Sequence, residues 1–537
     1  MRSYPTFVGS VDLPAQEWIH VLNADVLMQD PMAGLRLKRE LDRGRTTAPG
    51  SDQVAGRVAR STEQQWEQAV SSARSAQREW SRWPLADRLS LGVALRGVLQ
   101  DRIEEFIEVL IAEGHPRRLA EWEVAGVMQQ LAPVTLDTVA SLLERAEDVG
   151  GRELRLVRKP DGVVCLSPPQ NAAASNSILG VGALFAGNTI VVKAPRSCPL
   201  GVAWAWRELV GTALAEIDAP AGTINVICGA PAPIMNSWLA HTDVDTVFYI
   251  GDSRRGMDIE KRCAEAGKKS VLELSGNDGV LVWSDAELEL AAQALLECFY
   301  GSSQICMVPK YAVVHPDVAD QLIELLVKRL DQVRPGLPDD AETLLTPVLR
   351  AADFFDVLAE AVEAGATLVA GGERTDHQGT VDPAGVFLQP TIVRVDGLSP
   401  ADQLQAVRAE TFFPLLPIVV PTPAADSELL PAMLDFLDSN PYGLRNSLWA
   451  GDRAVIDEFC GTMRNGGLLK VNDSHLGFAP TLPTHGGTGL TGGPNGEANF
   501  PALRTSRLQG ISIATGVTPR ESIFDSALPP MDVRSAR

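Results

Sequence analysis

The sequence predicts an α/β fold in which helices cover parallel β-sheets. From residue 163 onward, short apolar runs of strand length alternate with longer stretches of helical periodicity, a pattern typical of parallel sheets joined by crossover helices. The chain has 537 residues, enough for two or three domains at roughly 100–200 residues each. Apolar residues make up 45% and charged residues 21% of it, which is the composition of a globular protein with a sizeable core.

The N-terminal part of the chain precedes this alternation. Residues 1–55 are predicted to form an extended leader, because four prolines interrupt them. Apolar residues then recur at helical spacing from Ser61, where Ser61 and Gln64 fit a capping box. Further helices are predicted over residues 84–114 and 117–147.

The alternation itself falls into two halves. In the first half, the strand-like runs are 163–167, 189–193, 223–228, 246–250 and 270–274, and the helical stretches are 172–186, 199–215 and 253–266. In the second half, the strand-like runs are 311–315, 416–420 and 446–450, and the helical stretches are 317–333, 350–364 and 427–439. Parallel sheets of this kind bind ligands, often nucleotides, beyond the carboxyl ends of their strands.

Charge and cysteine usage exclude several partners. The formal net charge of −21 would repel phosphate backbones and anionic membrane surfaces, so we expect neither nucleic acid nor membrane as a partner. No apolar stretch reaches the roughly 20 residues of a membrane span, and the N-terminus lacks a signal-peptide core. The seven cysteines show no metal-ligand spacing, which predicts no metal site and a reducing cytoplasm.

Cys306 is the first candidate for chemistry. It follows a Gly-Ser-Ser break at the end of a predicted helix, where backbone N–H groups can favour the thiolate. A free cysteine is also commonly a small core residue, so this position alone does not decide between the two roles.

Two further residues complete the set that carbonyl chemistry needs. Glu273 lies in an apolar strand-like run before a glycine, where desolvation would raise its pKa toward that of a useful base; a structural ion pair is the alternative. Asn171 lies between a strand and a helix, where its amide can donate to an oxyanion or merely cap the helix. Together, the three predict a thiolate that adds to an aldehyde, hydride loss to give a thioester, and hydrolysis by an activated water.

From about residue 60 to 515, the sequence resembles the aldehyde dehydrogenase superfamily. The resemblance is carried in order by Pro169-Gln-Asn171, Lys193-Ala-Pro-Arg196, Ile250-Gly-Asp252, Glu273-Leu-Ser-Gly276, Ser303-Gln-Ile-Cys306 and Glu410-Thr-Phe-Phe-Pro414. Six motifs in register are a specific signal, whereas one would be weak.

The resemblance implies a role for each motif. Cys306 would be the nucleophile, Glu273 the general base and Asn171 the oxyanion amide. Lys193 would bind the adenosine ribose, Glu410 the nicotinamide ribose, and Phe412 would lie near the nicotinamide.

The resemblance also implies the family's domains and a homodimer or homotetramer. These are a Rossmann-type nucleotide-binding domain, a second α/β catalytic domain and a small β extension used in oligomerisation. We place them, after the leader 1–55, at 56–150 with 163–278, at 279–488, and at 151–162 with 503–515, followed by a C-terminal tail over 516–537.

The cofactor-binding motifs depart from the family pattern. Arg196 replaces a glutamate that often grips the ribose hydroxyls, and an arginine can pair with a 2′-phosphate. We therefore favour NADP over NAD as the cofactor. Asp252 replaces a serine near the pyrophosphate next to Gly251, and the glycine-rich turn keeps only Gly229. These changes leave the binding mode of the phosphates open.

The substrate and two alternative functions also stay open at this point. By position, Asn176, Tyr300, His475 and Phe478 could line a substrate tunnel. The leading hypothesis is NAD(P)-dependent oxidation of a small-molecule aldehyde to a carboxylic acid. The alternatives are an enzyme that passes the thioester to coenzyme A and a non-catalytic binding protein that keeps the fold; the reduced phosphate turn is the feature that favours the latter.

Overall fold

The computed structural model describes residues 1–47, 49–50, 52–479, 481–482, 485–496 and 498–514. The strands of these residues are numbered β1 to β26 in chain order. They are Arg2–Tyr4, Thr6–Val8, Val11–Leu13, Glu17–Leu22, Val54–Arg60, Glu144–Val149, Arg152–Pro160, Val163–Ser167, Thr189–Ala194, Ile224–Cys228, Thr246–Ile250, Lys269–Glu273, Asp278–Val282, Pro309–Val314, Thr367–Ala370, Arg374–Thr375, Phe387–Leu388, Thr391–Asp396, Leu415–Val420, Tyr442–Gly443, Arg445–Trp449, Leu468–Val471, His485–Gly486, Thr488–Gly489, Ala498–Asn499 and Ser506–Ala514.

The α-helices are numbered α1 to α21 in the same way. They are Ala24–Gln29, Pro31–Asp42, Glu63–Trp80, Leu85–Asp101, Ile103–Ala112, Arg117–Gln130, Pro133–Leu143, Ala173–Ile178, Val181–Phe185, Pro199–Trp204, Thr212–Glu216, Pro231–Ala240, Ser253–Glu265, Leu288–Leu295, Pro316–Arg329, Ala351–Glu363, Leu398–Ala401, Gln405–Arg408, Asp426–Asp438, Arg453–Thr462 and Pro501–Arg504. A π-helical segment joins α10 to α11, and short 3₁₀ segments follow α14 and α15.

The first large sheet confirms the predicted first half of the alternation. Its strand order is β12-β11-β8-β9-β10-β2-β3, and the five strands from β8 to β12 are parallel. Each predicted run matches an observed strand to within one residue, because buried parallel strands are almost continuously apolar. The carboxyl ends of β9, β10, β11 and β12 therefore bring Lys193, Gly229, Gly251 and Glu273 to one edge of the sheet.

A second seven-stranded sheet has the order β15-β18-β19-β14-β13-β21-β22 and is parallel except for β15. Only the turn 274–277 separates β12 of the first sheet from β13 of the second. Cys306 precedes the amino end of β14, and Glu410 precedes the amino end of β19. The two α/β units thus meet with the carboxyl ends of one sheet near the amino ends of the other, and the candidate site lies between them.

The third sheet has the order β26-β7-β6 and is antiparallel. In it, β7 and β26 pair at nine positions, from Arg152 opposite Ala514 to Pro160 opposite Ser506. Apolar side chains on it are exposed, among them Leu154, Leu156 and Leu508. Strands β7 and β26 lie within the bounds expected for the β extension, and β6 adds a third strand before them. Residue 515 of the expected extension and the expected tail 516–537 lie outside the described residues.

The prediction of an extended leader was wrong. Strand β2 pairs with β10, Phe7 opposite Val226, so the N-terminal segment extends the first large sheet. Strands β1 and β4 flank β5 in a separate three-stranded sheet. Short strands interrupted by prolines resemble a loop in sequence, because the partner strand that defines them lies far along the chain.

Two local predictions need smaller corrections. The capping box uses Thr62 and Gln65 rather than Ser61 and Gln64, since the Thr62 hydroxyl accepts from the Gln65 N–H and the Gln65 side chain accepts from the Thr62 N–H. The helical region over 117–147 ends at Leu143, and Glu144–Val149 is a strand paired with β7. Tertiary pairing overrides the local helical pattern there.

Among the described residues, no helix is long and apolar enough to span a bilayer. The described part of the chain also holds no group of three or more His, Cys, Asp or Glu side chains that could bind a metal ion.

Candidate active site

Cys306 follows a run of backbone in the left-handed region. Gly301, Ser302 and Ser303 have φ values of 59°, 54° and 62°, a conformation that costs free energy for the two serines and persists only where the surroundings fix it. Thr346 supplies part of that restraint: its N–H donates to the Ser302 hydroxyl at 2.9 Å and its hydroxyl donates to the Gly301 carbonyl at 2.7 Å. Thr346 therefore restrains residues 301–305, which are called the nucleophile loop below after the predicted role of Cys306.

Asn171 lies against the same loop. Its side-chain Nδ2 donates to the carbonyl oxygen of Gln304 at 2.8 Å. Because a carboxamide has two N–H donors, one remains for another acceptor. The predicted juxtaposition of Asn171 with the Cys306 loop is present in the fold.

Gly276, three residues after Glu273, contacts two of the other predicted motifs. A Cβ at Gly276 would lie 2.3 Å from the carbonyl oxygen of Cys306, so the two backbones approach more closely than any other residue allows. The Gly276 N–H donates to Oε1 of Glu410 at 2.8 Å. The turn that follows Glu273 thus contacts both the nucleophile loop and the Glu410 loop.

Glu273 itself is buried at the carboxyl end of β12, with 6% of its surface exposed. Its carboxylate is near enough to Cys306 to raise the pKa of that thiol. Glu273 and Asn171 therefore both lie near the Cys306 loop.

The ionisation of Cys306 differs from the expectation. Burial, followed by the carboxylates of Glu410, Glu273 and Asp278, raises the pKa of Cys306 to about 12, while Lys310 acts in the opposite direction. These influences favour the thiol, opposite to the thiolate that backbone N–H groups at the helix-end break were expected to favour. Nearby negative charge and desolvation outweigh the effect of the buried Lys310 cation.

Lys310 is a site residue that sequence analysis missed. It is fully buried, and its Nζ donates to the Ser303 carbonyl at 2.7 Å and to the Thr411 carbonyl at 3.0 Å. The ammonium also lies 5.1 Å from the ring centre of Phe412. Lys310 therefore ties the nucleophile loop to the loop of Glu410 and Phe412. A lysine within the apolar run that forms β14 was the signal that could have revealed it.

Glu410 lies near charged groups of both signs, the cation Lys310 and the carboxylate Asp278. Burial raises the pKa of Glu410 to about 7, while Lys310 and hydrogen bonds from Ser275 and Gly276 lower it. The carboxyl is thus half-ionised near neutral pH and keeps one oxygen on the Gly276 N–H.

The candidate cofactor residues lie along the edge formed by β9, β10 and β11. Lys193 is buried at the end of β9, and this burial lowers its pKa. Arg196, three residues later, is exposed. Gly229 is buried, and a Cβ on it would be 3.1 Å from the Ile234 side chain.

Gly251 and Asp252 have local structural roles at the end of β11. A Cβ at Gly251 would lie 2.6 Å from the Tyr249 hydroxyl oxygen. The Asp252 carboxylate accepts from the Arg255 N–H at 2.9 Å and caps α13. Asp252 is therefore placed to stabilise the helix, and the exposed carboxylate remains an unfavourable neighbour for a phosphate.

The expected substrate-lining residues separate into two groups. His475 is 1% exposed, with Nδ1 2.6 Å from the Ser447 hydroxyl and Nε2 3.1 Å from the Asp278 carboxylate. Its place on a tunnel wall is therefore wrong, because both ring nitrogens are used inside the catalytic unit. Asn176 is partly buried in α8.

Tyr300 and Phe478 lie on the apolar side of the nucleophile. Tyr300 and Cys306 pack against the same cluster, formed by Met307, Val308, Leu444 and Leu476. Trp122 also packs there, and Phe478 stacks on its ring with 5.0 Å between the ring centres. Trp122 was missed because its helix precedes every recognised motif.

A family model described as the aldehyde dehydrogenase family matches residues 38–502. The chain is 28% identical to a vanillin dehydrogenase of Pseudomonas fluorescens, covering 86% of this chain and 93% of the relative. It is 27% identical to a benzaldehyde dehydrogenase [NAD(+)] of Pseudomonas putida, covering 79% of this chain and 83% of the relative.

Solved structures share the fold. A glyceraldehyde-3-phosphate dehydrogenase GapN of Methanocaldococcus jannaschii, complexed with NADP, superposes with a TM-score of 0.74 at 24% identity, covering 87% of this chain and 98% of that one. A salicylaldehyde dehydrogenase of Pseudomonas putida G7, complexed with salicylaldehyde, gives a TM-score of 0.78 at 19% identity over 96% and 98%.

Proposed function

This chain belongs to the aldehyde dehydrogenase family, whose enzymes oxidise an aldehyde to a carboxylic acid with NAD(P), and we propose a catalytic role for three of its residues. Cys306 is the nucleophile, Glu273 the general base and Asn171 the oxyanion donor. The observation that supports this assignment is the proximity of the three motifs: Asn171 bonds the Gln304 carbonyl of the Cys306 loop, and Gly276 lies against the Cys306 carbonyl.

The first step forms a carbon–sulfur bond. Cys306 loses its proton to a neighbouring carboxylate, Glu273 or Glu410, and its sulfur attacks the aldehyde carbon while the carbonyl π electrons move to oxygen. The free N–H of Asn171 donates to that oxyanion. The resting pKa of Cys306, about 12, keeps the thiol neutral until a base accepts the proton.

NAD(P)⁺, when bound, supplies the hydride acceptor that turns the thiohemiacetal into a thioester. Buried Lys193 and Glu410 suit the hydroxyls of its two ribose groups, because an ammonium donates and a carboxylate accepts. Phe412 offers an apolar face beside Glu410. This donor set fits the cofactor.

Hydrolysis completes the cycle. Glu273 accepts a proton from water, the resulting hydroxide attacks the thioester carbon, and the carbon–sulfur bond breaks to release the acid and Cys306. The enzyme therefore needs no coenzyme A. Assaying an aldehyde panel with and without coenzyme A tests this: free acid formed without coenzyme A is expected, and strict dependence on coenzyme A would overturn the assignment of Glu273.

We propose NADP as the preferred cofactor. Arg196 is exposed three residues beyond Lys193 and can reach a 2′-phosphate. Separate titrations with NADP and NAD measure the preference.

We propose an aldehyde with an apolar or aromatic body as the substrate. The rings of Trp122 and Tyr300 pack against the same apolar cluster as Cys306, and the ring of Phe478 stacks on Trp122. A cavity of about 80 Å³ adjoins Glu273 and is lined mainly by apolar side chains such as Ile178, Val181 and Phe185. Relatives named for vanillin and benzaldehyde agree with this proposal. A benzaldehyde-type substrate should therefore have a higher kcat/KM than an aliphatic aldehyde carrying a carboxylate.

The cellular setting and assembly are also proposals. All seven cysteines lie in the described part of the chain as free thiols, which favours a reducing cytoplasm. The exposed apolar side chains of the β26-β7-β6 sheet favour a homodimer or homotetramer built through this sheet. The domain boundaries given above are proposed with two changes: the N-terminal strands join the nucleotide-binding unit, and β6 joins the β extension because it pairs with β7.

A further inference from the structure

Behind the oxyanion residue lies a buried chain of polar side chains that the catalytic steps do not use. Asn171 is followed by Ala172, whose φ of 45° places a non-glycine residue in the left-handed region. Helix α8 begins directly after it. A strained turn of this kind keeps its geometry only if its neighbours hold it.

Ser175, on the first turn of α8, contacts that turn. Its hydroxyl oxygen lies 3.2 Å from the Ala172 carbonyl and donates to Oε2 of Glu123 at 2.6 Å. The Ala172 carbonyl also accepts the Asn176 N–H at 3.0 Å. The turn that presents Asn171 is therefore linked through one hydroxyl to helix α6, which carries Glu123.

Glu123 is fixed in turn by His115. Its other oxygen, Oε1, accepts from Nδ1 of His115 at 2.8 Å, and only 7% of Glu123 is exposed. Burial lowers the pKa of His115, but the carboxylates of Glu123 and Glu113 outweigh it, so the net pKa is raised. Both carboxylate oxygens of Glu123 thus have defined partners, and Ser175 binds an anchored acceptor.

We propose that Ser175, held by Glu123 and His115, is a positioning residue that sets the geometry of the Asn171 amide during aldehyde oxidation. The inference rests on the proposed role of Asn171. In this proposal Ser175 contacts neither substrate nor cofactor. Its effect on the position of Asn171 passes through the turn at Ala172.

Ser177 provides a matched control on the same helix. It is fully buried, and its hydroxyl donates to the Ala174 carbonyl and accepts from the Trp206 indole N–H at 2.9 Å. Removing either hydroxyl leaves a buried partner without its bond, but only the Ser175 hydroxyl contacts the Asn171 turn, at the Ala172 carbonyl. Ser175→Ala and Ser177→Ala therefore differ in the property under test.

The experiment is a double-mutant cycle on the full-length enzyme. We expect Ser175→Ala to lower kcat on the order of tenfold, with the KM for NADP unchanged, because small misplacements of an oxyanion donor are costly. Ser177→Ala should change kcat by less than about twofold, although both variants lower the melting temperature. In an Asn171→Ala background, Ser175→Ala should have no further effect on kcat.

The outcomes separate the two hypotheses. Equal losses of kcat from Ser175→Ala in both backgrounds, or equal effects of the Ser175 and Ser177 variants, would show a merely structural hydroxyl and overturn the inference. Wild-type kcat in Asn171→Ala alone would instead overturn the oxyanion assignment on which the inference rests.

Discussion

The side-chain amide of Asn171 donates to the carbonyl oxygen of Gln304, two residues before Cys306, over 2.8 Å. This bond joins the edge of the first large sheet to the nucleophile loop of the second. It fixes one N–H of Asn171 and leaves the other for the proposed bond to a carbonyl oxygen of the substrate. The bond therefore gives the proposed oxyanion hole a geometry before substrate binds.

Removing the Asn171 amide should impair the chemical step. Asn171→Ala is expected to lower kcat by about 10²–10³-fold, the usual loss for an oxyanion donor. The cofactor should still bind, since the proposed cofactor residues Lys193 and Glu410 are unchanged. Steady-state kinetics and fluorescence titration with NADPH measure the two effects, and a loss of cofactor affinity with kcat retained would contradict the assigned role.

Lys310 should control the reactivity of Cys306. Lys310→Met removes the buried cation that lowers the pKa of the thiol, so less thiolate exists at any given pH. Alkylation of Cys306 at pH 9 should slow on the order of threefold or more. Lys310→Arg, which keeps the charge, is the control.

The labelling is followed by peptide mass in a Cys460→Ser background, because Cys460 is the exposed cysteine. Identical pH profiles for the Met and Arg variants would show that Lys310 acts by packing rather than by charge.

The Glu410 carboxyl should make stability depend on pH. Its pKa is about 7 in the folded protein and 4.5 is its ordinary value, so the folded state binds the proton more tightly. The resulting stabilisation is present below about pH 4.5 and is lost as the pH rises through 7. Glu410→Gln should therefore raise the free energy of unfolding at pH 8, on the order of 2 kcal/mol, and have little effect at pH 4.5.

Thermal melts of the wild type and of Glu410→Gln at both pH values test this, and an equal shift at the two values would contradict it. The same variant should raise the KM for NADP, because the amide is a weaker acceptor for a ribose hydroxyl than the carboxylate.

Arg196 should read the 2′-phosphate. Arg196→Glu places a carboxylate beside that group, so the ratio of kcat/KM for NADP to that for NAD should fall by about tenfold or more. Because Arg196 is exposed, the substitution should leave the melting temperature unchanged. An unaltered ratio would show that Arg196 does not contact the phosphate.

Local patterns predicted the parts of the fold that are determined locally. The runs that became β8 to β12 were identified because a buried parallel strand is apolar along its whole length. The N-terminal strands were missed because Phe7 pairs with Val226, a partner that no window of sequence contains. The six motifs gave the proposed catalytic residues without showing how near one another they lie.

The electrostatics of the site could not be predicted in the same way. The pKa of Cys306 depends on Glu410 and Asp278, which come from different segments. His475 was expected beside the substrate because of its position, but it bonds Asp278, 197 residues away. Such properties depend on three-dimensional neighbours and on burial, which spacing along the chain does not give.

The central claim is that a thioester forms on Cys306 and that Glu273 activates the water that removes it. The most direct measurement is the intact mass of Glu273→Gln after mixing with NADP and benzaldehyde, beside Cys306→Ala as the control. The account predicts a benzoyl adduct that persists in Glu273→Gln, maps to the Cys306 peptide and is absent from Cys306→Ala. Full turnover by Glu273→Gln with no adduct, or an adduct on Cys306→Ala, would contradict it.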